Sequence, residues 1–217
     1  PLLTPDFLLR AYAGGIFPMA ESAGSTQLRW FDPPIRAIIP LDENFHVSRS
    51  LKRRIRKKPF IIKRNTAFDA VIRGCAASAP DRPTTWINRE IINLYTALHW
   101  QGHAHSIEAW DGAELVGGLY GVSLGGALFS RRTDASKIVL VYLVALLRHC
   151  GFTLLDTQFQ TDHLKQFGTH EITRMNYLHL LADAVKQSTS LKQSENWDYL
   201  AAGAGAGASL HPVTQIS

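Results

Sequence analysis

Cysteines and long apolar segments are scarce in this chain of 217 residues. Both of its 2 cysteines, Cys75 and Cys150, lie in apolar, helix-like segments, which favours buried free thiols over a disulfide framework or a metal site. The most apolar run, residues 138–147, is much shorter than the ~20 residues of a membrane-spanning helix. The N-terminal sequence also lacks the basic start and apolar core of a secretory signal. We therefore expect a globular, cytoplasmic protein.

Acidic residues are absent between Arg49 and Arg64, although this segment holds 9 of the 23 lysine and arginine residues. In the rest of the chain 14 basic residues face 18 acidic ones, so a mildly acidic protein carries one strongly basic strip. Such a strip suits a polyanion, because each phosphate contact releases counterions, although many charge runs are only solvated helix faces. The candidates for phosphate contacts are Arg49, Lys52, Arg53, Arg54, Arg56 and Lys57.

Capping residues and apolar periodicity predict six helices. They begin after Thr4, after Ser48 or Ser50, after Thr66, after Asn88, after Asp134 and near residue 173. Alternating or β-branched runs predict strands at residues 60–62, 104–110, 114–122, 127–130 and 153–159, with Asp111-Gly112 joining the second and third. The proline-rich stretch that contains residues 30–34 is predicted to be irregular.

The order hairpin, strand, long helix, strand resembles the fold of acetyl-CoA-dependent N-acetyltransferases. We predict an α+β protein with three parts: a small N-terminal domain with the basic strip (residues 1–58), an acetyltransferase-like (GNAT-like) mixed-sheet domain with flanking helices (59–190), and a flexible or extended Ala-Gly tail (191–217). An acetyl-CoA enzyme is disfavoured, because residues 130–137 contain no glycine with which to cradle a pyrophosphate.

Two further motifs favour a structural interpretation. Gly121-x-Ser123-x-Gly125 has the spacing of a hydrolase nucleophile elbow, but strand signals on both sides indicate a hairpin turn instead. His99, His103 and His105 have no suitably spaced carboxylate or cysteine beside them, so no metal site is predicted.

Asp156 and Gln158 are the catalytic candidates. They lie two residues apart on one predicted strand, so their side chains are expected to share a face, and a buried carboxylate there is costly unless it is paired or used. One interpretation is an ion pair between Asp156 and a nearby Lys or Arg. The other is that the two side chains orient an incoming amine and help to remove its proton. Three aromatic residues, Tyr12, Trp86 and Tyr95, are equally compatible with base stacking and with core packing.

Several motifs occur together, in order, between about residues 4 and 186. They are Ala11-Tyr12-x-x-Gly15-Ile16-Phe17-Pro18, Trp30-Phe31-Asp32-Pro33 with Arg36-Ala37, His46-Val47-Ser48-Arg49-Ser50, Thr85-Trp86-Ile87, Gly102-His103-Ala104-His105-Ser106-Ile107-Glu108, Glu114-Leu115-Val116-Gly117-Gly118-Leu119-Tyr120-Gly121-Val122, Phe129-Ser130-Arg131, Asp134-Ala135-Ser136-Lys137 and Asp156-x-Gln158. Together they resemble the leucyl/phenylalanyl-tRNA–protein transferases.

The resemblance implies an enzyme that transfers Leu or Phe, less often Met, from aminoacyl-tRNA to proteins beginning with Arg or Lys. It implies no metal or coenzyme, a product read by the Clp adaptor and protease, and catalytic roles for Asp156 and Gln158. The implied adenosine site is Tyr12, Met19, Trp86 and Tyr95; the implied amino-acid side-chain pocket is Leu119, Phe129, Ser130, Leu140 and Leu143. We expect a monomer. The alternatives are an acetyl-CoA-type N-acetyltransferase and a non-catalytic RNA-binding module on the same fold.

The chain departs from the family pattern at two places. Met19 stands where the family often has Trp. The stretch from Gly125 to Ser130 is several residues shorter than the family pattern and lacks its Glu. Because the flanking motifs are intact, we favour a loop missing from the printed sequence over a true deletion.

Overall fold

The computed structural model describes residues 3–77, 85–132 and 137–191. In these parts it contains seven helices and nine strands, which confirms the α+β prediction. The helices are α1 (Pro5–Ala13), α2 (Arg49–Arg56), α3 (Phe68–Ala76), α4 (Arg89–Trp100), α5 (Lys137–His149), α6 (Asp162–Lys165) and α7 (Arg174–Ala184). The strands are β1 (Phe17–Ala20), β2 (Leu28–Phe31), β3 (Ile35–Ile39), β4 (Ile61–Arg64), β5 (Ala104–Asp111), β6 (Glu114–Leu124), β7 (Ala127–Arg132), β8 (Leu154–Gln158) and β9 (His170–Thr173).

A seven-stranded mixed sheet organises the molecule, in the order β4-β5-β6-β7-β8-β3-β9. Neighbouring strands are antiparallel except β7 and β8, which are parallel and are connected through α5. The β5–β6 hairpin closes through Gly112 and Ala113, since Asp111 already pairs with Glu114. The hairpin, strand, helix, strand order is therefore the one predicted, and it is built around the parallel pair.

The segment predicted to be irregular forms three strands instead, so that prediction is wrong. β1 and β2 make a separate antiparallel pair, and β3 joins the large sheet between β8 and β9. These strands are four or five residues long, and the partners of β3 lie more than a hundred residues away. A local pattern cannot reveal such pairings. The division of the chain at residues 58 and 59 remains a prediction.

The two faces of the sheet carry two apolar cores. On one face, which we call the α5 core, the almost wholly buried helix α5 packs with Leu51 and Ile55 of α2 and with Leu155 of β8. The opposite face, the α4 core, is covered by α1, α3, α4 and α7 and receives Leu154 of β8. Alternation along β8 therefore assigns Asp156, two residues after Leu154, to the face of the α4 core.

The start of α3 is held by a carboxylate from a neighbouring strand. Thr66 was predicted to cap this helix, but the N-cap position is Ala67 and no side chain of the helix segment caps it. Instead the buried Glu108 of β5 accepts bonds from the backbone N–H groups of Thr66 and Ala67 and from two hydroxyl groups, including Ser106 Oγ at 2.5 Å. A carboxylate satisfies the N–H groups of a helix start and also suits its positive dipole end.

The short connection between β6 and β7 is a two-residue turn, Gly125-Gly126. It packs on the end of α7, where Gly126 N–H donates to Ala184 O at 2.7 Å. Gly125 has φ +53, and a Cβ atom there would lie 2.6 Å from Val185 O, so glycine is required.

Thr4 and Asn88 cap their helices as predicted, and Ser48, one of the two candidates, caps α2. Helix α7, predicted from about residue 173, is capped by Thr173. The predicted Asp134 cap and the Ala-Gly tail lie outside the described residues. Within the described ranges, no helix combines the length and apolar character needed to cross a bilayer.

Candidate functional site

Asp156 lies on β8, in the middle of the sheet and fully buried. Its two carboxylate oxygens accept four hydrogen bonds. Oδ1 accepts from Arg36 Nε at 3.2 Å and from the backbone N–H of Gln158 at 2.6 Å. Oδ2 accepts from Arg36 Nη2 at 2.6 Å and from the hydroxyl of Tyr177 at 2.8 Å. A carboxylate offers about four acceptor positions, so this one is saturated. The ion-pair interpretation of Asp156 is therefore the one that the structure shows.

Arg36 of β3 supplies the charge that balances Asp156. Its guanidinium lies between two rings, with Cζ 4.6 Å from the centroid of Phe17 and 4.3 Å from that of Tyr177. Its Nη1 donates to Gly15 O at 2.6 Å, and the residue is 1% exposed. The sequence placed Arg36 in a motif but did not identify it as the partner, and Tyr177 was missed because only its helix was predictable.

Gln158 combines an unusual backbone with an unsatisfied side chain. It adopts φ +66, which is uncommon for a residue other than glycine, and its N–H bond to Asp156 holds that conformation. The side chain is fully buried, yet neither Oε1 nor Nε2 has a hydrogen-bond partner in the described parts of the chain. Leaving a buried amide unsatisfied is costly, so such a group is a candidate for binding another molecule.

A register shift between Ala37 and Ile38 lies opposite this segment. It interrupts the simple alternation from which Asp156 and Gln158 were expected to share a face. Chemically, the saturated Asp156 can position its neighbours but has no free acceptor for an incoming proton. The amide of Gln158 offers one acceptor and one donor group, which is what a reacting amine and a carbonyl oxygen need.

The four residues of the implied adenosine site all belong to or pack against the α4 core, on the face of Asp156. Tyr12 and Tyr95 are buried, with exposures of 1% and 0%, and their hydroxyl groups bond to each other. Neither ring therefore offers a free face in this conformation. Met19 and Trp86 are partly exposed, and the backbones of their segments meet where Ala20 N–H donates to Trp86 O at 3.1 Å. Their adenosine-binding role remains a prediction.

The implied side-chain pocket lies elsewhere. Leu119, Leu140 and Leu143 are buried together in the α5 core, across the sheet from Asp156. Phe129 and Ser130 belong to β7, where the backbone of Phe129 pairs with Asp156, but their side chains are outside the described part of the structure. The sheet thus separates three pocket residues from Asp156, and their role also remains a prediction.

The basic strip forms helix α2 and the residues after it. Leu51 and Ile55, one turn apart, anchor the helix in the α5 core. Arg49, Arg53, Arg54, Arg56 and Lys57 are exposed, and Lys52 is half-buried. Among the described residues none of these six forms an ion pair with a carboxylate, and Arg54 lies over the ring of Phe60. The helix therefore presents uncompensated positive charge to solvent.

The histidines and Ser123 form a hydrogen-bonded structural cluster. Asn65 Oδ1 accepts from Ser106 N–H, so its amide nitrogen faces His105 Nδ1 at 3.1 Å. His105 Nδ1 is then an acceptor, and its Nε2–H donates to Ser123 Oγ at 3.2 Å. This is the wrong tautomer for a general base acting on Ser123. Burial, with a smaller effect of Arg64, lowers the pKa of His105 to about 4.

His99 stacks on Phe68, with ring centroids 4.3 Å apart, and its Nδ1 bonds to Ala104 O. No group of three or more potential metal ligands occurs in the portion of the chain that the structure describes. The segment equivalent to an acetyl-CoA pyrophosphate loop includes residues 133–136, which lie outside the described residues.

Comparisons with known proteins agree on one family. The family model described as leucyl/phenylalanyl-tRNA protein transferase matches residues 38–182, and the model of its N-terminal domain matches residues 2–34. A leucyl/phenylalanyl-tRNA–protein transferase of Paramagnetospirillum magneticum is 56% identical over 191 residues, which cover 86% of this chain and 91% of the relative. One from Rhodopseudomonas palustris is 54% identical over 193 residues, covering 87% and 85%. The chain therefore belongs to the leucyl/phenylalanyl-tRNA–protein transferase family, whose members are aminoacyltransferases.

Proposed function

We propose that this protein transfers Leu or Phe, less often Met, from aminoacyl-tRNA to the N-terminal α-amine of proteins that begin with Arg or Lys. The observation that carries the proposal is the buried side-chain amide of Gln158: it lies beside the saturated carboxylate of Asp156, and its Oε1 and Nε2 have no hydrogen-bond partner among the described residues. Family membership supplies the reaction, and this amide supplies the groups that can guide it.

The reaction itself needs little covalent help. The aminoacyl ester is already activated, and a free α-amine has a pKa near ~8, so a useful fraction is uncharged at neutral pH. The amine nitrogen attacks the ester carbonyl carbon, a peptide bond forms, and the bond to the tRNA ribose oxygen breaks. The proton lost by the amine passes through solvent to that leaving oxygen. Holding the two substrates in reach supplies much of the acceleration.

Gln158 provides the orienting contacts, for which its fully buried side chain must become accessible when the substrates bind. Oε1 accepts a hydrogen bond from the amine and aims its lone pair at the ester. Nε2 donates to the carbonyl oxygen, where negative charge develops in the transition state. Asp156 acts through Gln158 by fixing its backbone, and it does not take the proton, because its acceptor positions are filled.

Three other surfaces complete the proposal. Met19 and Trp86, which remain accessible, contact the terminal adenosine in front of the Tyr12–Tyr95 pair. Phe129 and Ser130 of β7, a strand that runs beside Asp156, receive the apolar side chain of the transferred residue, and Leu119, Leu140 and Leu143 pack behind them in the α5 core. The exposed basic face of α2 binds the phosphates of the acceptor stem, where each neutralised phosphate adds affinity.

We further propose that aminoacyl-tRNA is the sole cosubstrate, without metal or coenzyme. The enzyme acts as a cytoplasmic monomer, and its products are read by the Clp adaptor and protease.

The test is transfer of labelled Leu and Phe from charged tRNA to peptides that begin with Arg, Lys or Gly. We expect label on the Arg and Lys peptides alone, with Gln158→Ala reducing turnover but not tRNA binding. Acetyl-CoA is included as a competing donor. Acetylation of the peptides would favour an N-acetyltransferase, and tRNA binding with no transfer at all would favour a non-catalytic RNA-binding module.

A further inference from the structure

Two donors meet at one oxygen of Asp156. Arg36 Nη2 and the Tyr177 hydroxyl both donate to Oδ2, at 2.6 and 2.8 Å, and Arg36 Nη2 also reaches the Tyr177 hydroxyl oxygen at 3.2 Å. The ring of Tyr177 lies against the same guanidinium. One tyrosine of α7 therefore fixes both members of the buried ion pair.

We propose that Arg36 and Tyr177 are positioning residues for aminoacyl transfer, which hold Asp156 against the backbone of Gln158 and so keep the amide of Gln158 in its reactive place. The inference rests on the proposed function. Neither residue is required to touch a substrate, because both act through Asp156.

The energetics favour positioning over simple stabilisation. Removing two charges from water costs about as much as their attraction returns, so an apolar pair of similar size would stabilise the fold equally well or better. The Arg36–Asp156 pair is 2% and 0% exposed, and it is built with one bidentate contact and two additional donors. Four hydrogen bonds that converge on one carboxylate fix the position of Asp156 relative to Arg36, Tyr177 and the backbone of Gln158.

Tyr177 is suited to be a permanent donor. Burial, reinforced by the negative charge of Asp156, raises the pKa of its hydroxyl far above the ordinary value of 10.0. The hydroxyl therefore stays protonated, and it donates to Asp156 throughout the neutral pH range.

Arg36 also extends the connection to the N-terminal segment. Its Nη1 donates to Gly15 O, at the corner between α1 and β1, and Phe17 of β1 covers its guanidinium. Gly15 has φ +82, and a Cβ atom there would lie 2.7 Å from Leu178 Cδ2 on α7. The corner that follows Tyr12 is thus tied through Arg36 to the strand that carries Gln158.

Tyr177→Phe is the decisive variant, because it keeps the ring on Arg36 and removes only the hydroxyl. We expect kcat for an Arg-peptide to fall about tenfold, equivalent to ~1.4 kcal/mol, with the KM of the peptide and the Kd of charged tRNA unchanged. We also expect faster hydrogen exchange at the backbone N–H of Gln158, which donates to Asp156, as measured by NMR. Tyr142→Phe, on the opposite face of the sheet, is the matched control and should change neither kcat nor the hydrogen exchange of Gln158.

Arg36→Lys tests the second residue. It keeps the charge but loses the bidentate geometry, so kcat should fall further than in Tyr177→Phe, in protein shown to be folded by its thermal transition. Unchanged exchange at Gln158 in both variants would overturn the inference, as would faster exchange with wild-type kcat. If the wild-type protein transfers neither Leu nor Phe, the proposed function fails, and the exchange measurement alone decides whether Arg36 and Tyr177 hold Gln158.

Discussion

Replacing Asp156 with alanine should destabilise the whole protein, in addition to any effect on transfer. Among the described residues, the change leaves the buried guanidinium of Arg36 with Gly15 O and the Tyr177 hydroxyl as its acceptors. It also removes the acceptor that holds the left-handed backbone of Gln158. Breaking a buried pair by removing one partner typically costs about 3–5 kcal/mol. For a chain of this length that corresponds to a fall in Tm of roughly 6–20 °C.

Urea and thermal unfolding of wild-type and Asp156→Ala protein measure this cost directly. The double variant Arg36→Met/Asp156→Leu supplies the control, because it removes both charges and fills the space with apolar groups. It should recover most of the lost stability. A loss below about 1 kcal/mol in Asp156→Ala, or a double variant less stable than the single one, would refute the reasoning. Turnover of Asp156→Ala is therefore meaningful only when it is referred to the folded fraction.

Three other perturbations have defined outcomes. Changing Arg53 and Arg56 to Gln should weaken tRNA binding and reduce the slope of log affinity against log salt by about 2; an unchanged slope would contradict a phosphate-binding role for α2. Gly125→Ala should cost ~1–3 kcal/mol in urea unfolding, because its Cβ atom would strike a carbonyl of the α7 end at a positive φ, whereas Gly24→Ala, with open space around it, should cost less than ~0.5 kcal/mol. Because the pKa of His105 is about 4 in the folded protein and 6.5 is its ordinary value, the unfolded chain binds the proton first as the pH falls. Wild-type protein should therefore lose up to about 3 kcal/mol of stability between about pH 6.5 and 4. His105→Gln should lose less over the same range, and equal losses would show that His105 does not titrate in this way.

Local signals predicted the elements that depend on neighbouring residues. Helix α1 starts directly after Thr4, as predicted, and the β5–β6 hairpin forms at the predicted Asp111-Gly112 turn. The apolar run at residues 138–147 lies in a predicted helix, and these ten residues are buried in α5. Each of these features depends on residues that are close in sequence, so periodicity and capping residues are sufficient to predict it.

Features that depend on distant contacts were not predictable. Arg36 and Asp156 are 120 residues apart, and no pattern near either one specifies the other as its partner. The capping of α3 by Glu108 joins residues 41 and 42 apart, and a threonine at the usual capping position concealed it. Asp156 and Gln158 could be predicted as candidates from the sequence. Their separate roles depend on which of their polar atoms already have hydrogen-bond partners, and only the folded structure shows that.

The insertion of β3 between β8 and β9 also sets the order in which this protein can mature. β3 is synthesised early, but its sheet neighbours β8 and β9 belong to the last third of the chain, so β3 stays unpaired until they have been synthesised. Long-range pairings of this kind form slowly and leave strand edges exposed in the meantime. Arg36 has no carboxylate partner until β8 arrives, and Tyr177 arrives later still. A chain that ends before Tyr177 lacks one of the donors to Asp156, so it cannot complete the Gln158 site.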